Sequence, residues 1–128
     1  MANFTIPNKG DYTFTIKVIE ADSFLAQDLT NMTTATLELI KLDTLESVAT
    51  VTGITLDADY ALNGRVQFTI LDATTSALVY ARGDKVDDYY NKPTYKALVK
   101  VAGTDFTDIS ATIDTVYVTP VQPTLVVV

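Results

Sequence analysis

Oxygen-bearing side chains are grouped in residues 57–63, where Asp57, Asp59 and Asn63 stand at positions one, three and seven. This spacing is typical of part of a calcium-binding loop, because hard cations bind carboxylate and amide oxygens. The segment lacks the central glycine and the final glutamate of the helical calcium-binding motif. The sequence therefore favours a polar turn here over a specific metal site.

Two other short motifs resemble functional sites of other proteins. Arg82-Gly83-Asp84 is a tripeptide that some cell-surface receptors bind, but a match of three residues occurs too often by chance to predict a function. Asp87 and Asp88 are adjacent carboxylates, whereas glycoside hydrolysis needs two carboxylates that face each other across a cleft. We interpret both motifs as solvated turn residues.

Catalytic chemistry is restricted by two residue types that the chain lacks, since it contains no histidine and no cysteine. Histidine is the commonest general base near neutral pH and the commonest metal ligand. Without cysteine, the chain cannot form a disulfide, a thiolate nucleophile or a zinc-thiolate site. We therefore expect a protein that is not an enzyme and that uses neither a cofactor nor a metal.

The length and the net charge of the chain further restrict the class of protein and the partners that it is expected to bind. The chain has 128 residues, which suits one domain, and a formal net charge of -7. Its negative charge repels nucleic-acid phosphates and anionic lipids, so neither nucleic acid nor a membrane is an expected partner. No apolar run approaches the roughly 20 residues that cross a bilayer, and the N-terminus does not resemble a signal peptide. We expect a soluble protein.

Apolar and polar residues alternate with a period of two in several segments, which is the pattern of half-buried β-strands. Turn residues separate these segments at intervals of roughly ten residues, and no long helical period is present. We therefore expect an all-β fold, an antiparallel β-sandwich of about seven strands, with a small closed barrel as the alternative. The predicted strands are residues 12–18, 34–42, 45–54, 65–70, 95–101 and 109–118, and residues 4–6 are expected to form either a short leading strand or an arm.

The same pattern predicts several local details. Val48, Val51 and Ile54 are the apolar residues of the strand over residues 45–54, where Gly53 is a candidate for a bulge, and the inward set of the last strand shifts after Ile113, as a β-bulge would cause. Residues 57–64 are expected to form a loop. Asp72 is placed to cap a short helical turn, and at most one such turn is expected.

A cluster of tyrosines is the most conspicuous candidate for binding. Tyr89, Tyr90 and Tyr95, with Lys92 among them, would give large rigid contact area with polar tips, which is typical of protein interfaces. The alternative is that one or more of these rings closes the end of the sandwich. We treat the four residues as a predicted interaction site.

The C-terminal segment forms the second predicted interaction site. We expect a sandwich domain over residues 1–119 and an extended tail over residues 120–128, because two prolines keep the tail out of the preceding strand ladder. Leu125, Val126 and Val127 are apolar where a terminal segment is normally polar. These residues are expected to lie either on their own sandwich or on a neighbouring subunit.

Several strand-forming segments together resemble a known family. They are GDYTFTI at residues 10–16, DLTNMTTATL at 28–37, GRVQFTI at 64–70 and VYVTP at 116–120. Their order is similar to that of the immunoglobulin-like modules in virion proteins of tailed bacteriophages, including the N-terminal domain of siphophage baseplate upper proteins. A sandwich of this size also resembles capsid decoration proteins. The resemblance implies an immunoglobulin-like β-sandwich.

The resemblance further implies a structural protein of a bacteriophage virion, made in the host cytoplasm. Such a protein would bind other virion subunits and copies of itself, as a capsid decoration or head accessory protein or as a tail or baseplate accessory protein. The alternative is a host-surface or carbohydrate-binding module that uses Tyr89, Tyr90 and Tyr95 as a stacking face.

Overall fold

Strands dominate the computed structural model, which describes residues 4–20, 22–79, 81–82 and 91–119. Within these residues the chain forms eight strands and two short helices. In chain order the elements are β1 (Phe4–Pro7), β2 (Tyr12–Lys17), β3 (Met32–Lys41), β4 (Ser47–Thr52), α1 (Ala58–Leu62), β5 (Arg65–Ile70), α2 (Asp72–Thr75), β6 (Ala81–Arg82), β7 (Asn91–Gly103) and β8 (Ile109–Thr119).

Two sheets form the sandwich. The larger sheet has the order β1-β8-β7-β3-β4, with β6 paired to the start of β7, and the smaller sheet consists of β2 and β5. Lettering β2, β3, β4, β5, β7 and β8 as B, C, C′, E, F and G gives the order of an immunoglobulin-like sandwich, in which G-F-C-C′ faces B and E. The prediction of an all-β sandwich is confirmed.

Strand direction departs from a purely antiparallel arrangement at one pair. β1 runs parallel to β8, with Phe4 opposite Val116, whereas the other paired strands are antiparallel. The turn after β1 leads into β2 of the other sheet and not into a hairpin with β8. No short connection therefore dictates the direction of β1 relative to β8.

The core follows from the alternation of side chains along each strand. In β3, Leu37 and Leu39 are buried while Glu38 between them lies on the other face. Within the smaller sheet, Phe68 of β5 stacks on its paired residue Phe14 of β2 with 5.6 Å between ring centroids. The main buried residues are Ile6, Leu29, Ala35, Leu37, Leu39, Val66, Phe68, Ile70, Tyr95, Ala97, Val101, Val116 and Val118.

Two of the three apolar residues of the predicted strand over residues 45–54 are exposed, whereas Val51 packs against the core. Val48 is 42% exposed and Ile54 is 52% exposed. Leu39 pairs with Ala49 and the next residue of β3 pairs with Ser47, so Val48 is an extra residue that changes the phase of the strand. Ile54 follows the end of β4 and bridges Gln67 of β5.

The predicted bulge in the last strand is confirmed. Ala97 of β7 pairs with Ile113 of β8, and Tyr95 pairs with Val116. Three residues of β8 therefore span the same distance as two residues of β7. The extra residue brings Val116 onto the buried face.

Two helices occur where the sequence predicted at most one helical turn. Residues 57–64 are not a simple loop, because Asp57 accepts a hydrogen bond from the Tyr60 N–H at 2.9 Å and caps α1. A helix of five residues is too short to show a helical period in the sequence. Asp72 begins α2 and does not cap it, since Leu71 occupies the cap position. No helix in the described part of the chain is long and apolar enough to cross a membrane.

Candidate interaction surface

The turn that leads into β2 is attached to α2 by three hydrogen bonds. The Gly10 N–H donates to Asp72 Oδ1 at 2.6 Å, and the Asp72 N–H donates to Asp11 Oδ1 at 2.8 Å. The Thr75 hydroxyl donates to the Gly10 carbonyl at 2.7 Å. These bonds hold β2, one edge of the smaller sheet, against the segment that follows β5.

Two aspartates have a lowered pKa, and both take part in local structure. The Gly10 N–H and then the Ser76 hydroxyl hold the pKa of the Asp72 carboxyl below its usual value. The hydroxyl and N–H of Thr30 lower the pKa of Asp28 in the same way. A carboxyl with a lowered pKa is a poor general acid at neutral pH, so these groups stabilise turns and helix ends.

Tyr95 is one of the predicted interaction residues, but it lies in the core. Its side chain is 2% exposed, and its hydroxyl accepts a hydrogen bond from the Val79 N–H at 2.9 Å. The neighbouring Thr94 hydroxyl donates to the Val79 carbonyl at 2.8 Å. The ring therefore fastens the segment after α2 to β7. The burial of Tyr95 follows from its position opposite Val116, on the inward face of β7.

The other predicted interaction residues lie mostly outside the described residues. This holds for Tyr89, Tyr90, Leu125, Val126 and Val127. Lys92 lies in β7, where its backbone pairs with Ala81 of β6. Asp87 and Asp88 also lie outside the described residues, as do the last two residues of the Arg82-Gly83-Asp84 tripeptide.

The segment that resembles part of a calcium loop has a structural role. Asp57 caps α1, and the Asn63 side-chain amide donates to the Asp59 carbonyl at 2.8 Å. Across the described ranges, no group of three or more acidic residues is placed to hold a metal ion. The side chains of Asp57 and Asn63 thus serve the two ends of α1.

An open groove of about 480 Å³ lies between α2 and the start of β4. Its lining includes Lys41 and Glu46 as charged residues, together with Val48, Leu78 and Val79. The lining contributes one carboxylate, whereas glycoside hydrolysis needs two. The groove is therefore a mixed polar and apolar surface in a region where α2, β3, β4 and β7 meet.

β4 is an edge strand with little protection against pairing. No described strand pairs with its outer side. Residues 47–56 contain no charged side chain, although 20% of the chain is charged. Edge strands are commonly protected by charge, proline or a bulge, and beyond the bulge at Val48 the strand has none of these. The β4 edge can therefore accept a strand from another chain.

A tight loop after β2 exposes two large apolar side chains that sequence reasoning missed. Phe24 is 75% exposed and Leu25 is 67% exposed. The Phe24 N–H donates to the Glu20 carbonyl, the Glu20 N–H donates to the Leu25 carbonyl, and Phe24 has a φ of 59°. Exposed apolar side chains of this size are typical of contact surfaces when they are grouped. The strand pattern ends before this loop, so periodicity gave no signal for it.

No protein-family model and no curated protein matches this chain.

Proposed function

We propose that this chain is a structural protein of a bacteriophage virion that binds other virion subunits. The proposal rests on the resemblance of its strand segments to virion modules and on one structural observation, the uncharged edge of β4. The role is either that of a capsid decoration or head accessory protein or that of a tail or baseplate accessory protein.

Main-chain pairing is the mechanism by which such an edge would bind. A strand from a neighbouring subunit would satisfy the free N–H and C=O groups of the edge and place alternate side chains on the two faces of the sheet. Leu125, Val126 and Val127 form an apolar segment of the same sequence that we expect to contact a neighbouring subunit. Many copies on a symmetric particle would make a weak contact effectively permanent, because each further contact forms at high effective concentration.

The charge of the chain is compatible with this role. A net charge of -7 keeps the unassembled protein dispersed, while the β4 edge itself places no charge against a partner. Contact at an uncharged edge therefore avoids repulsion between copies.

Quantitative mass spectrometry of virions encoded by the same genome tests the proposal. We expect the chain to be present in purified particles, in many copies for a shell component and in few for a tail component. A matched variant that lacks residues 120–128 is expected to be depleted from particles. The absence of the full chain from purified virions would refute the proposal.

For the alternative function, a carbohydrate-binding module, Tyr95 is not available as a stacking residue. A stacking face needs exposed rings, and Tyr95 is buried in the core. Glycan-array binding by the isolated chain is the measurement that would favour this alternative over virion assembly.

A further inference from the structure

β8 has an exposed edge that its neighbours cover only in part. β7 pairs with one side of β8, and β1 pairs with the other side only at residues 116–119. Among the described strands, none pairs with residues 109–115 on the side of β1. Residues 109–113 pair with β7 in regular register and contain no charged side chain.

The core-facing side of this part of β8 is also incompletely covered. Ala111 pairs with Val99, which is buried, and directly opposed residues of paired strands point to the same face. Ala111 therefore faces the core side, yet it is exposed. Its inward neighbours Ile109 and Ile113 are only half-buried.

On the side of the sandwich where the edge of β8 is exposed, the smaller sheet also ends in an edge strand. β2 is an edge of the smaller sheet, and its inward residues Phe14 and Ile16 are half-buried. Phe4 of β1 packs on Phe14 with 4.7 Å between ring centroids, so β1 and β2 border the same side. Next to residues 109–115 of β8, which β1 does not cover, this side has a free strand edge and apolar side chains. These are the two features that an added strand requires.

We infer that the edge of β8 at residues 109–113 accepts residues 124–128 of a second copy of this chain as an added strand. This inference rests on the proposed function, because it names one partner and one contact by which copies would assemble. The acceptor and the inserted segment are matched in length, since five residues of either strand span about 17 Å.

The chemistry of residues 124–128 suits this acceptor. The segment contains four apolar residues, and no charged side chain occurs anywhere from residue 115 to 128. The inserted segment therefore adds no charged side chain to the contact in a chain whose net charge is -7. Alternate side chains of the added strand would fill the space above Ala111.

The segment that pairs with β8 is more easily supplied by a second copy than by the same chain. β8 ends at Thr119, and β1 lies against its outer edge at residues 116–119. A tail returning along its own β8 would have to pass around β1 within the four residues 120–123, two of which are prolines. A tail from a neighbouring copy approaches the free edge without this obstacle.

Cysteine cross-linking tests the inference, because the chain has no native cysteine. Thr112 is exposed on β8, so T112C is mixed with L125C, V126C or V127C, each as a single variant of the full chain, under mild oxidation. We expect disulfide-linked heterodimers whose yield alternates along residues 125–127, since neighbouring residues of a strand face opposite sides. T50C on the exposed face of β4 is the matched control for the other edge.

Each result decides the inference. Alternating yields with T112C that exceed those with T50C support it. Equal yields at residues 125–127, higher yields with T50C, or no heterodimer would overturn it, as would a bond formed only within one chain of the double variant T112C/V126C. If the chain is found in virions and no T112C heterodimer forms, this inference fails while the proposed function stands. If the heterodimer forms and virions lack the chain, the proposed function fails instead.

Discussion

Asp11 caps the helix that begins at Asp72, because its Oδ1 atom accepts a hydrogen bond from the Asp72 N–H at 2.8 Å. The cap position of α2 in the chain is Leu71, which has no side-chain acceptor. Asp11, which directly precedes β2, thus satisfies an N–H group that the helix leaves free.

Replacement of Asp11 by alanine is expected to lower the free energy of unfolding by about 0.5–2 kcal/mol, the usual cost of losing a helix cap. Denaturant titration of the purified protein measures this change. D43A is a matched control, because Asp43 is an exposed aspartate in the turn between β3 and β4, and its loss is expected to cost less than about 0.5 kcal/mol. Equal effects of the two variants would contradict a capping role for Asp11.

The stability of the fold is expected to depend on the charge of Asp72. Hydrogen bonds from the Gly10 N–H and the Ser76 hydroxyl lower its pKa in the folded state. A carboxyl with a lowered folded pKa stabilises the fold above its unfolded pKa, about 3.9, and this contribution is lost as pH falls through the folded pKa. Asp72→Asn is therefore expected to be less stable than the native protein near neutral pH and to approach it below about pH 4. Denaturant titrations at a series of pH values measure the difference, and a difference that stays constant with pH would argue against this role.

Gly64 is expected to tolerate no side chain. Its φ is +68°, and a Cβ atom there would lie 2.3 Å from the Val18 carbonyl oxygen. G64A should lower the free energy of unfolding by about 2 kcal/mol or more, from backbone strain and from displacement of β2. Gly10 is the matched control, since its φ is +82° and a Cβ atom would meet nothing within 4 Å. G10A should cost only the strain, about 1–2 kcal/mol, and a G64A variant no less stable than G10A would contradict the close approach.

Replacement of Phe24 by glycine is expected to stabilise the fold. Phe24 has a φ of 59° and is 75% exposed, so its ring contributes little burial while its backbone is strained. Glycine removes strain of about 1–2 kcal/mol and adds roughly 0.5–1 kcal/mol of unfolded-state entropy, which leaves a gain of up to about 1 kcal/mol. Thermal unfolding measures this gain. L25G is the control, because Leu25 is equally apolar but has no positive φ, and it should be destabilising. A loss of stability in F24G would show that the ring makes a contact that matters.

The alternation of apolar and polar side chains along the sequence determined where the strands lie. β2, β5 and β7 lie where apolar residues alternate, and the bulge of β8 follows from the shift after Ile113. Alternation reveals these features because burial of one face of a strand acts on every second residue. It failed at Val48, where an unpaired extra residue changed the phase, and at α1, which is too short to show a helical period.

Only the tertiary structure decided which strands meet and which edges remain free. Nothing in the sequence around Phe4 or Val116 indicates that β1 runs parallel to β8 and stops partway along it. Nor does it indicate that Ala111 is exposed although it lies on the apolar face of β8. Alternation specifies two faces for each strand but not the neighbour at its edge, because pairing between residues far apart in the chain depends on how the whole sandwich closes.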